Sequence, residues 1–397
     1  MIVKQKLRTR PPGGPAQTII LAANTAWYLA NFRLNLARAL RAAGYRVLLI
    51  APRDEFAEKL SAEGFEYVGW NLSRTGLGVR ETARAFWSLY IVYRRERPIA
   101  VHHFTLKCIL LGSAAAALAR VPNVFHSVTG LGHLFIHRSL RIRSLRSITV
   151  LLLRVFFFFT KPRMIFQNHQ DCARFRSLRL APPARSHLIP TSGIDVAFYR
   201  REAPPRIPSG ERPIVLYAGR ILAEKGVREF VAAASRLRAE GIEARFLLAG
   251  ATDAGNPSSI APSQLASWKR DGNVELLGHV SDLRPLMAES AVFVLPSYRE
   301  GGSRVILEAA AMELPIITTD VPGCENLVDH GKTGLVVPVR DAASLAGAIR
   351  DLIANRETAA RMGAAGRAKV IREFSDEIVV RATLSAYSSA GISGSCL

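Results

Sequence analysis

Cysteine is scarce in this chain. Its 397 residues include 4 cysteines, and none of them forms a Cys-x-x-Cys pair or lies at metal-binding spacing beside histidine. This scarcity excludes a disulfide-stapled scaffold and predicts no structural zinc site. We therefore expect the protein to work in the reducing cytosol.

Long apolar runs are missing as well. The longest, at residues 148–159, is interrupted by Arg154 and is shorter than the roughly 20 apolar residues that a membrane-spanning helix needs. The apolar stretch at residues 19–23 is too short for the core of a signal peptide. The sequence predicts neither a spanning helix nor secretion.

Acidic residues are scarce in one half of the chain only. Residues 1–200 contain 9 Asp and Glu against 30 Lys and Arg, whereas residues 201–397 contain 23 of each. The formal net charge of +21 therefore lies entirely in the first half. It favours an anionic partner of that half, which can be nucleic acid, an anionic membrane surface or a phosphorylated substrate.

The apolar run at 148–159 has two interpretations. A run of this length is typical of a buried helix packed on a sheet, and this is the interpretation that we favour from the sequence. However, basic residues bracket the run, and an apolar helix with basic flanks also suits the headgroup region of an anionic leaflet. The flanking residues are Arg138, Arg141, Arg143, Arg146, Lys161 and Arg163.

Short apolar runs alternate with amphipathic stretches along the chain, beginning with a strand from Thr18 and one helical stretch over residues 29–44. Continuous Val, Ile and Leu runs between helices indicate parallel strands covered on both faces. The sequence thus predicts an α/β fold of two doubly wound, Rossmann-like domains facing a cleft. The predicted parts are an N-terminal domain at 1–197, a proline-rich linker at 198–212, a C-terminal domain at 213–374, and a final helix and tail at 375–397.

Ligands of open parallel sheets bind beyond the carboxyl ends of the strands, so the residues that follow each strand are the candidates. After the strand PIVLYA come Gly219, Arg220 and Lys225, and then a helix. Glycine lets the backbone approach a ligand, and two cations beside helix N–H groups favour phosphate oxygens. This is the outline of a diphosphate site, with ordinary solvated loop charges as the alternative.

A second candidate turn follows the strand AVFVLP. It contains Glu300, Gly301, Gly302 and Ser303, and Ser303 is placed as the N-cap of a helix that carries Glu308. The free N–H groups and the dipole of that helix favour an anion. An anion site flanked by two carboxylates suits a ligand with phosphates in the middle and hydroxyl groups at both ends. A nucleotide sugar has this composition.

These motifs carry a family resemblance. The pattern G-R-x4-K-G followed by E-x7-E resembles the donor-binding half of the retaining family 4 glycosyltransferases, which have the two-domain GT-B fold, and the similarity covers residues 213–373. It implies that Arg220 and Lys225 neutralise the donor diphosphate, that Glu308 accepts from the ribose, and that Glu300 holds sugar hydroxyls. The other implied donor contacts are Gly219, Val280 in the base-reading segment, and the amides of Gly301, Gly302 and Ser303.

The expected chemistry needs neither a cofactor nor a metal. No Asp-x-Asp motif follows a strand, and two fixed cations can stabilise the departing nucleoside diphosphate in place of a divalent ion. The resemblance also implies that the leaving phosphate assists deprotonation of the acceptor. Glu300, Arg220 and Lys225 are therefore the predicted catalytic residues, without a dedicated base.

The first domain departs from the family pattern at its first loop. Where the family often has a Gly-rich loop, this chain has residues 24–33, with Phe32 and Arg33 in the first helix, which resembles a subgroup that extends lipid-diphosphate-linked glycans. The strand-end position of Thr105 and Lys107 suits an acceptor phosphate, whereas His102 and His103 are interpreted as strand residues with satisfied hydrogen bonds. The predicted acceptor residues are Asn24, Thr105, Lys107, Thr129, Gly130, Gly132 and His133.

The function predicted from the sequence is that of a retaining hexosyltransferase. Its expected partners are a UDP-linked sugar donor, a polyprenyl-diphosphate-linked or lipopolysaccharide-type acceptor, and an anionic membrane surface at the inner face of the cell membrane. One alternative, a nucleotide-sugar 2-epimerase or hydrolase, would not need the basic first half. The other alternative is a non-enzymatic nucleic-acid-binding protein. Against it, the basic residues of this chain lack the interleaved exposed aromatics of a base-stacking platform, and Glu300 and Glu308 would stay unexplained.

Overall fold

The computed structural model describes residues 16–73, 78–130, 140–202, 212–253, 256, 258–324 and 326–392. Strands alternate with helices along these residues and form two sheets. The pairings among the first five strands, and those of the second sheet, are parallel. This confirms the predicted α/β fold with two doubly wound sheets.

The first sheet has seven strands in the order β3-β2-β1-β4-β5-β6-β7. All five residues of β1 and of β4 are buried, as expected for inner strands covered on both faces. The strands are β1 (Thr18–Ala22), β2 (Arg46–Ala51), β3 (Glu66–Gly69), β4 (Ala100–Phe104), β5 (Asn123–Val128), β6 (Arg163–Phe166) and β7 (Ser186–Leu188). The helices in this part of the chain are α1 (Ala26–Phe32), α2 (Leu34–Ala42), α3 (Phe56–Ala62), α4 (Val79–Glu96), α5 (Leu106–Ala119), α6 (Leu140–Thr160) and α7 (His169–Ser177), and a 3₁₀ turn spans Pro183–Arg185.

The second sheet has six strands in the order β10-β9-β8-β11-β12-β13, so the strand order reverses between β8 and β11. Its strands are β8 (Ile214–Ala218), β9 (Arg245–Ala249), β10 (Glu275–Gly278), β11 (Val292–Leu295), β12 (Ile316–Thr319) and β13 (Gly334–Val337). Its helices are α8 (Val227–Ala239), α9 (Pro262–Asp271), α10 (Arg284–Glu289), α11 (Arg304–Ala311), α12 (Ala342–Ala354), α13 (Arg356–Lys369) and α14 (Asp376–Ser388). A 3₁₀ turn at Ala223–Lys225 and a π-helical turn at Val370–Phe374 complete it. The reversal places the ends of β8 and β11 where ligands bind in such sheets.

The described residues divide into two compact units. The first contains residues 16–127, 140–164 and 384–392, and the second contains residues 128–130 and 165–383. Helix α14 begins in the second unit and ends in the first, which agrees with the predicted crossing helix. The domain boundaries at 197 and 213 stay a prediction.

The predicted single helical stretch over 29–44 is wrong. The structure contains two helices, α1 and α2, because the backbone leaves the helical region at Arg33, with φ −132° and ψ 0°. Arg33 is only 5% exposed, and its Nε and Nη2 donate to the Tyr28 hydroxyl at 3.2 and 2.9 Å. Its guanidinium also lies 4.6 Å from the centre of the Phe104 ring. The break turns this charge inward onto two aromatic rings.

Helix α6 contains the apolar run, and the prediction that it is buried is correct for only one face. Val150, Leu153 and Phe157 are buried, and α6 packs on α5. The opposite face exposes large apolar side chains at the helical spacing, namely Leu145, Ile148, Leu151, Leu152, Val155, Phe158 and Phe159. We call these seven residues the α6 apolar face. Within the part of the chain that the structure describes, no helix combines the length and the apolar character required to cross a bilayer.

Candidate active site

The loops that follow β8 and β11 meet backbone to backbone in the second unit. Gly226 has φ +70°, and a Cβ atom at this position would lie 2.0 Å from the carbonyl oxygen of Pro296. The Tyr298 amide donates to the Glu224 carbonyl at 2.8 Å. A side chain at 226 would force these loops apart, so the local geometry requires glycine.

Tyr217, at the end of β8, holds the first of these loops from below. It is fully buried, and its hydroxyl lies 3.3 Å from the Lys225 carbonyl and 3.5 Å from the Arg220 carbonyl, which share its one proton as acceptors. Burial raises the pKa of Tyr217 well above its usual value, so the hydroxyl keeps the proton that it donates. The sequence analysis missed this residue because it looks like an ordinary apolar strand position.

The structure brings Lys225 and Glu300 together. The Lys225 ammonium donates to Glu300 Oε1 at 2.5 Å, and the Ser297 hydroxyl donates to the same oxygen at 2.7 Å. The side chains of Lys225 and Glu300 are 18% and 9% exposed. A cation of the kind that binds phosphate and a carboxylate of the kind that binds sugar hydroxyls therefore share one partly buried site.

Arg220 forms an ion pair with Asp253. Its Nη1 donates to Asp253 Oδ2 at 2.7 Å, and its side chain is 58% exposed. Because the guanidinium is largely exposed, a phosphate can approach it from solvent and compete with Asp253. Asp253 is a second residue that the sequence analysis missed.

Helix α11 begins at Arg304, with Ser303 at the N-cap position as predicted, but the Ser303 hydroxyl makes no capping hydrogen bond. The Ser303 amide donates to the Gly323 carbonyl at 3.3 Å, so it is already engaged without a ligand. Glu308 accepts from Arg304 Nε at 3.0 Å and also interacts with the Tyr199 hydroxyl. The two predicted roles, an amide near phosphate and a carboxylate on ribose, stay predictions.

Gly301 lies against another loop of the second unit. A Cβ atom on Gly301 would lie 2.2 Å from the Thr129 carbonyl oxygen, and the Gly301 Cα is 3.9 Å from where a Cβ on Gly130 would be. Thr129 and Gly130, predicted on the acceptor side, are therefore neighbours of the loop that carries Glu300. The remaining donor candidates lie at strand ends, since the Gly219 amide donates to the Ala249 carbonyl at 3.0 Å and Val280 follows β10 half-buried.

No group of three or more His, Cys, Asp or Glu side chains that could hold a metal ion occurs among the described residues. The groups at the site include three ion pairs, Arg220–Asp253, Lys225–Glu300 and Arg304–Glu308, together with hydroxyls and backbone amides. This set suits a phosphorylated, hydroxyl-rich ligand.

Two family profiles match the chain. The profile described as "Glycosyl transferase 4-like" matches residues 18–155, and the one described as "Glycosyl transferases group 1" matches residues 212–355. The chain is a family 4 glycosyltransferase. The predicted family is confirmed.

Curated relatives of this glycosyltransferase match most of its length. The N,N'-diacetylbacillosaminyl-diphospho-undecaprenol alpha-1,3-N-acetylgalactosaminyltransferase of Campylobacter jejuni is 28% identical over 369 residues, which cover 90% of this chain and 94% of the relative. The capsular polysaccharide biosynthesis glycosyltransferase CapM of Staphylococcus aureus is 26% identical, over 75% of this chain and 78% of its own.

Solved structures share the fold of the glycosyltransferase. Sucrose-phosphate synthase from Thermosynechococcus elongatus superposes with a TM-score of 0.75 at 21% identity, covering 94% of this chain and 98% of its own. HepE from Anabaena, solved with UDP and glucose, gives a TM-score of 0.75 at 18% identity, covering 94% and 99%. These matches confirm the GT-B fold.

The first unit of the glycosyltransferase contains three of the predicted acceptor residues. Asn24 follows β1 half-buried, and Thr105 joins β4 to α5 with φ +73°, a conformation that β-branched residues rarely adopt. The Lys107 ammonium donates to the Ser73 carbonyl at 2.6 Å, and burial lowers the pKa of Lys107. Gly132 and His133 lie outside the described residues.

The histidines of β4 and β5 are core residues of the enzyme. His102, His103 and His126 are fully buried. His102 lies 2.7 Å from the Tyr387 hydroxyl on α14 and 2.8 Å from the Ser127 hydroxyl. The interpretation of His102 and His103 as strand residues with satisfied hydrogen bonds is confirmed.

Proposed function

We propose that this enzyme transfers a hexosyl unit from a UDP-sugar to a polyprenyl-diphosphate-linked glycan, with retention of the anomeric configuration. The observation that carries the proposal is the joint position of Lys225 and Glu300 at the end of one parallel sheet. Two comparisons support it: the Campylobacter relative is named for a diphospho-undecaprenol acceptor, and HepE was solved with UDP and glucose.

In the proposed reaction the bond between the sugar C1 and the β-phosphate oxygen breaks, and the acceptor hydroxyl oxygen forms a bond to C1 on the same face. The acceptor proton passes to the departing phosphate. Lys225 and Arg220 stabilise the charge that develops on the diphosphate, as fixed cations do in a preorganised site. An ammonium has three N–H donors, so Lys225 can hold Glu300 and a phosphate oxygen at once.

The proposed acceptor contacts in the first unit lie at the start of α5. The amides of a helix N-terminus and a lysine in its first turn suit the diphosphate of a lipid-linked glycan. Lys107 occupies that turn, and Thr105 stands at the N-cap position without a capping hydrogen bond. Asn24 follows β1, the strand that pairs with β4.

We further propose that the enzyme binds the inner face of the cell membrane through the α6 apolar face. Phe158 is 73% exposed, and the basic residues Arg143, Arg154 and Lys161 on or beside α6 are exposed as well. An apolar stripe with basic neighbours matches the acyl boundary and the anionic headgroups of a leaflet. The charge asymmetry points the same way, because the whole net charge of +21 lies in residues 1–200.

A donor and acceptor screen tests the proposed reaction. UDP release is measured with UDP-N-acetylgalactosamine, UDP-N-acetylglucosamine, UDP-glucose and UDP-galactose, each with and without a polyprenyl-diphosphate-linked saccharide. We expect release that depends on the acceptor and an α-linked product by NMR. Release at the same rate without acceptor would favour a hydrolase, and a β-linked product would contradict retention.

A further inference from the structure

The segment that leads into α7 holds the loop at residues 296–303, which we call the Glu300 loop. The Asn168 side chain caps α7, with Oδ1 accepting from the Asp171 amide at 2.7 Å. Its Nδ2 donates to the Gly301 carbonyl at 3.0 Å and to Asp171 Oδ2 at 3.1 Å. Asp171 in turn accepts from the guanidinium of Arg299. All of these residues belong to the second unit.

These contacts anchor the chain on both sides of Glu300. Arg299, immediately before it, is held by its side chain, and Gly301, immediately after it, is held by its carbonyl. Glu300 itself donates its amide to the Pro322 carbonyl at 3.0 Å. Three successive residues are therefore fixed, and the Glu300 carboxylate has little freedom apart from its own side-chain rotation.

The loop also has no room to move sideways. A Cβ atom on Gly301 would meet the Thr129 carbonyl at 2.2 Å, and one on Gly302 would meet the Pro190 carbonyl at 2.5 Å. Backbone from two other segments therefore packs closely against Gly301 and Gly302.

A gain in stability does not explain the buried charge of Asp171. Asn168 already caps α7, and both Asn168 and Asp171 are fully buried. Burying the Asp171 carboxylate costs desolvation, and its partner Arg299 is 31% exposed, so the pair is expected to contribute little stability compared with apolar packing. What the pair does supply is a directional contact that fixes Arg299.

We propose that Asp171 and Asn168 are positioning residues that hold Glu300 at the sugar of the donor. This inference rests on the proposed function. Misplacing a reacting group by about 1 Å can cost roughly 100-fold in rate, so even a loose contact at Asp171 is expected to impair transfer. Binding of the nucleoside diphosphate depends on Arg220 and Lys225 instead, and it should survive.

Four variants test this: Asp171→Asn, Arg299→Ala, Arg299→Lys, and Arg245→Ala as a control. The control removes a two-bond ion pair with Glu275 at the opposite ends of the strands. We expect Asp171→Asn and Arg299→Ala to lower kcat by about 10- to 100-fold while the Kd for UDP stays within about twofold of the wild type. Arg299→Lys keeps the charge and should retain more activity than Arg299→Ala, and Arg245→Ala should match the wild type.

Hydrogen exchange of peptides that cover residues 296–303 provides a readout that does not need turnover. Exchange should be faster in Asp171→Asn and Arg299→Ala and unchanged in Arg245→Ala. Urea unfolding curves at the same temperature confirm that each variant is folded before urea is added. Wild-type kcat and exchange in both variants would overturn the proposal, as would a loss of UDP affinity equal to the loss of kcat. If the wild-type enzyme transfers no sugar, the proposed reaction fails, and the exchange data still decide whether Asp171 fixes the loop.

Discussion

His103 Nδ1 lies 3.1 Å from His126 Nδ1 inside the first unit, so only one of these two nitrogens carries a proton in the hydrogen bond. With both rings neutral, the neighbouring side chains favour one assignment. The Ser113 hydroxyl donates to the Ile109 carbonyl at 2.6 Å, so it accepts from His126 Nε2, and His126 Nδ1 must accept from His103. His103 Nε2 then accepts from the Tyr93 hydroxyl at 2.7 Å. Both imidazoles are neutral in this arrangement.

The neutral buried histidines make the enzyme sensitive to acid. Burial lowers the pKa of His103 to about 3, and it holds the pKa values of His102 and His126 well below 6.5. Below pH 6.5 the unfolded chain therefore binds protons that the native state does not, and stability falls as the pH decreases. Each buried histidine contributes a slope of about 1.4 kcal/mol per pH unit.

Urea unfolding between pH 7 and 5 measures this effect. Replacing His103 with Gln should remove about one proton from the slope of unfolding free energy against pH. A stability that does not depend on pH over this range would contradict the neutral network.

The second prediction concerns the ion pair of Lys225 and Glu300, which we assign to different parts of the donor. Lys225→Met should weaken UDP binding by about tenfold or more, since it removes a charge-assisted contact of about 1.5–3 kcal/mol. Glu300→Gln should leave UDP affinity nearly unchanged and lower kcat. Because the two side chains touch, the free-energy losses in UDP binding and in turnover should be smaller in the double variant than the sum of the losses in the two single variants. Additive losses measured by calorimetry and initial rates would show that the pair does not act as one unit.

Parallel strand ends made the site predictable, but the contacts inside it were not. Lys225 and Glu300 are 75 positions apart, and the rule that ligands bind beyond strand ends was sufficient to place both at one site. The Asp171 contact to Arg299 spans 128 positions, and no local pattern signals which distant cation a buried carboxylate meets. Only the tertiary structure supplies that information.

The helix break at Arg33 and the exposed face of α6 could not be predicted, because both depend on contacts with distant parts of the chain. The residues around Arg33 have the periodicity of one amphipathic helix, and the local pattern does not show that the Arg33 guanidinium packs on the Phe104 ring of β4, where the helix is interrupted. In α6 nearly every residue of the apolar run is hydrophobic, so the sequence does not show which face packs on α5. The exposed face became visible only in the folded chain.

A third prediction separates backbone strain from loop contact at Gly226. In Gly226→Ala the new residue must adopt a positive φ, and its Cβ would lie 2.0 Å from the Pro296 carbonyl oxygen. In Gly241→Ala the new residue must also adopt a positive φ, of +77°, but its Cβ would meet no atom within 4 Å. Both variants should lose about 1 kcal/mol or more of stability from the backbone conformation. Only Gly226→Ala should also lose UDP affinity, because it disturbs the adjacent Lys225, to which we assign the diphosphate. Equal UDP affinity in both variants would place the donor away from these loops.

The fourth prediction is that transfer needs no divalent metal. In the proposed reaction Arg220 and Lys225 supply two positive charges for the leaving diphosphate, which is the role that a metal ion plays at sites without such cations. Turnover after exhaustive dialysis against EDTA should stay close to the untreated rate. A strict requirement for added Mg²⁺ or Mn²⁺ would refute this.

The last prediction concerns the α6 apolar face and its basic neighbours. Changing Leu151, Val155 and Phe158 to Ser should abolish sedimentation with phosphatidylglycerol vesicles, because these side chains supply the apolar contact. Changing Arg143, Arg146 and Arg154 to Glu should weaken binding about 100-fold or more, since each basic residue near an anionic leaflet contributes about 1 kcal/mol. Val339→Ser with Ile371→Ser is the control, because these exposed apolar residues lie in the second unit. Phosphatidylcholine vesicles and added salt should both reduce wild-type binding.

The membrane-defective variants should transfer sugar slowly to a long-chain acceptor embedded in vesicles and at the normal rate to a short soluble one. Wild-type sedimentation of the triple Ser variant would exclude membrane contact through α6, and a change from dimer to monomer in that variant would identify a second copy of the chain as the partner of this face instead.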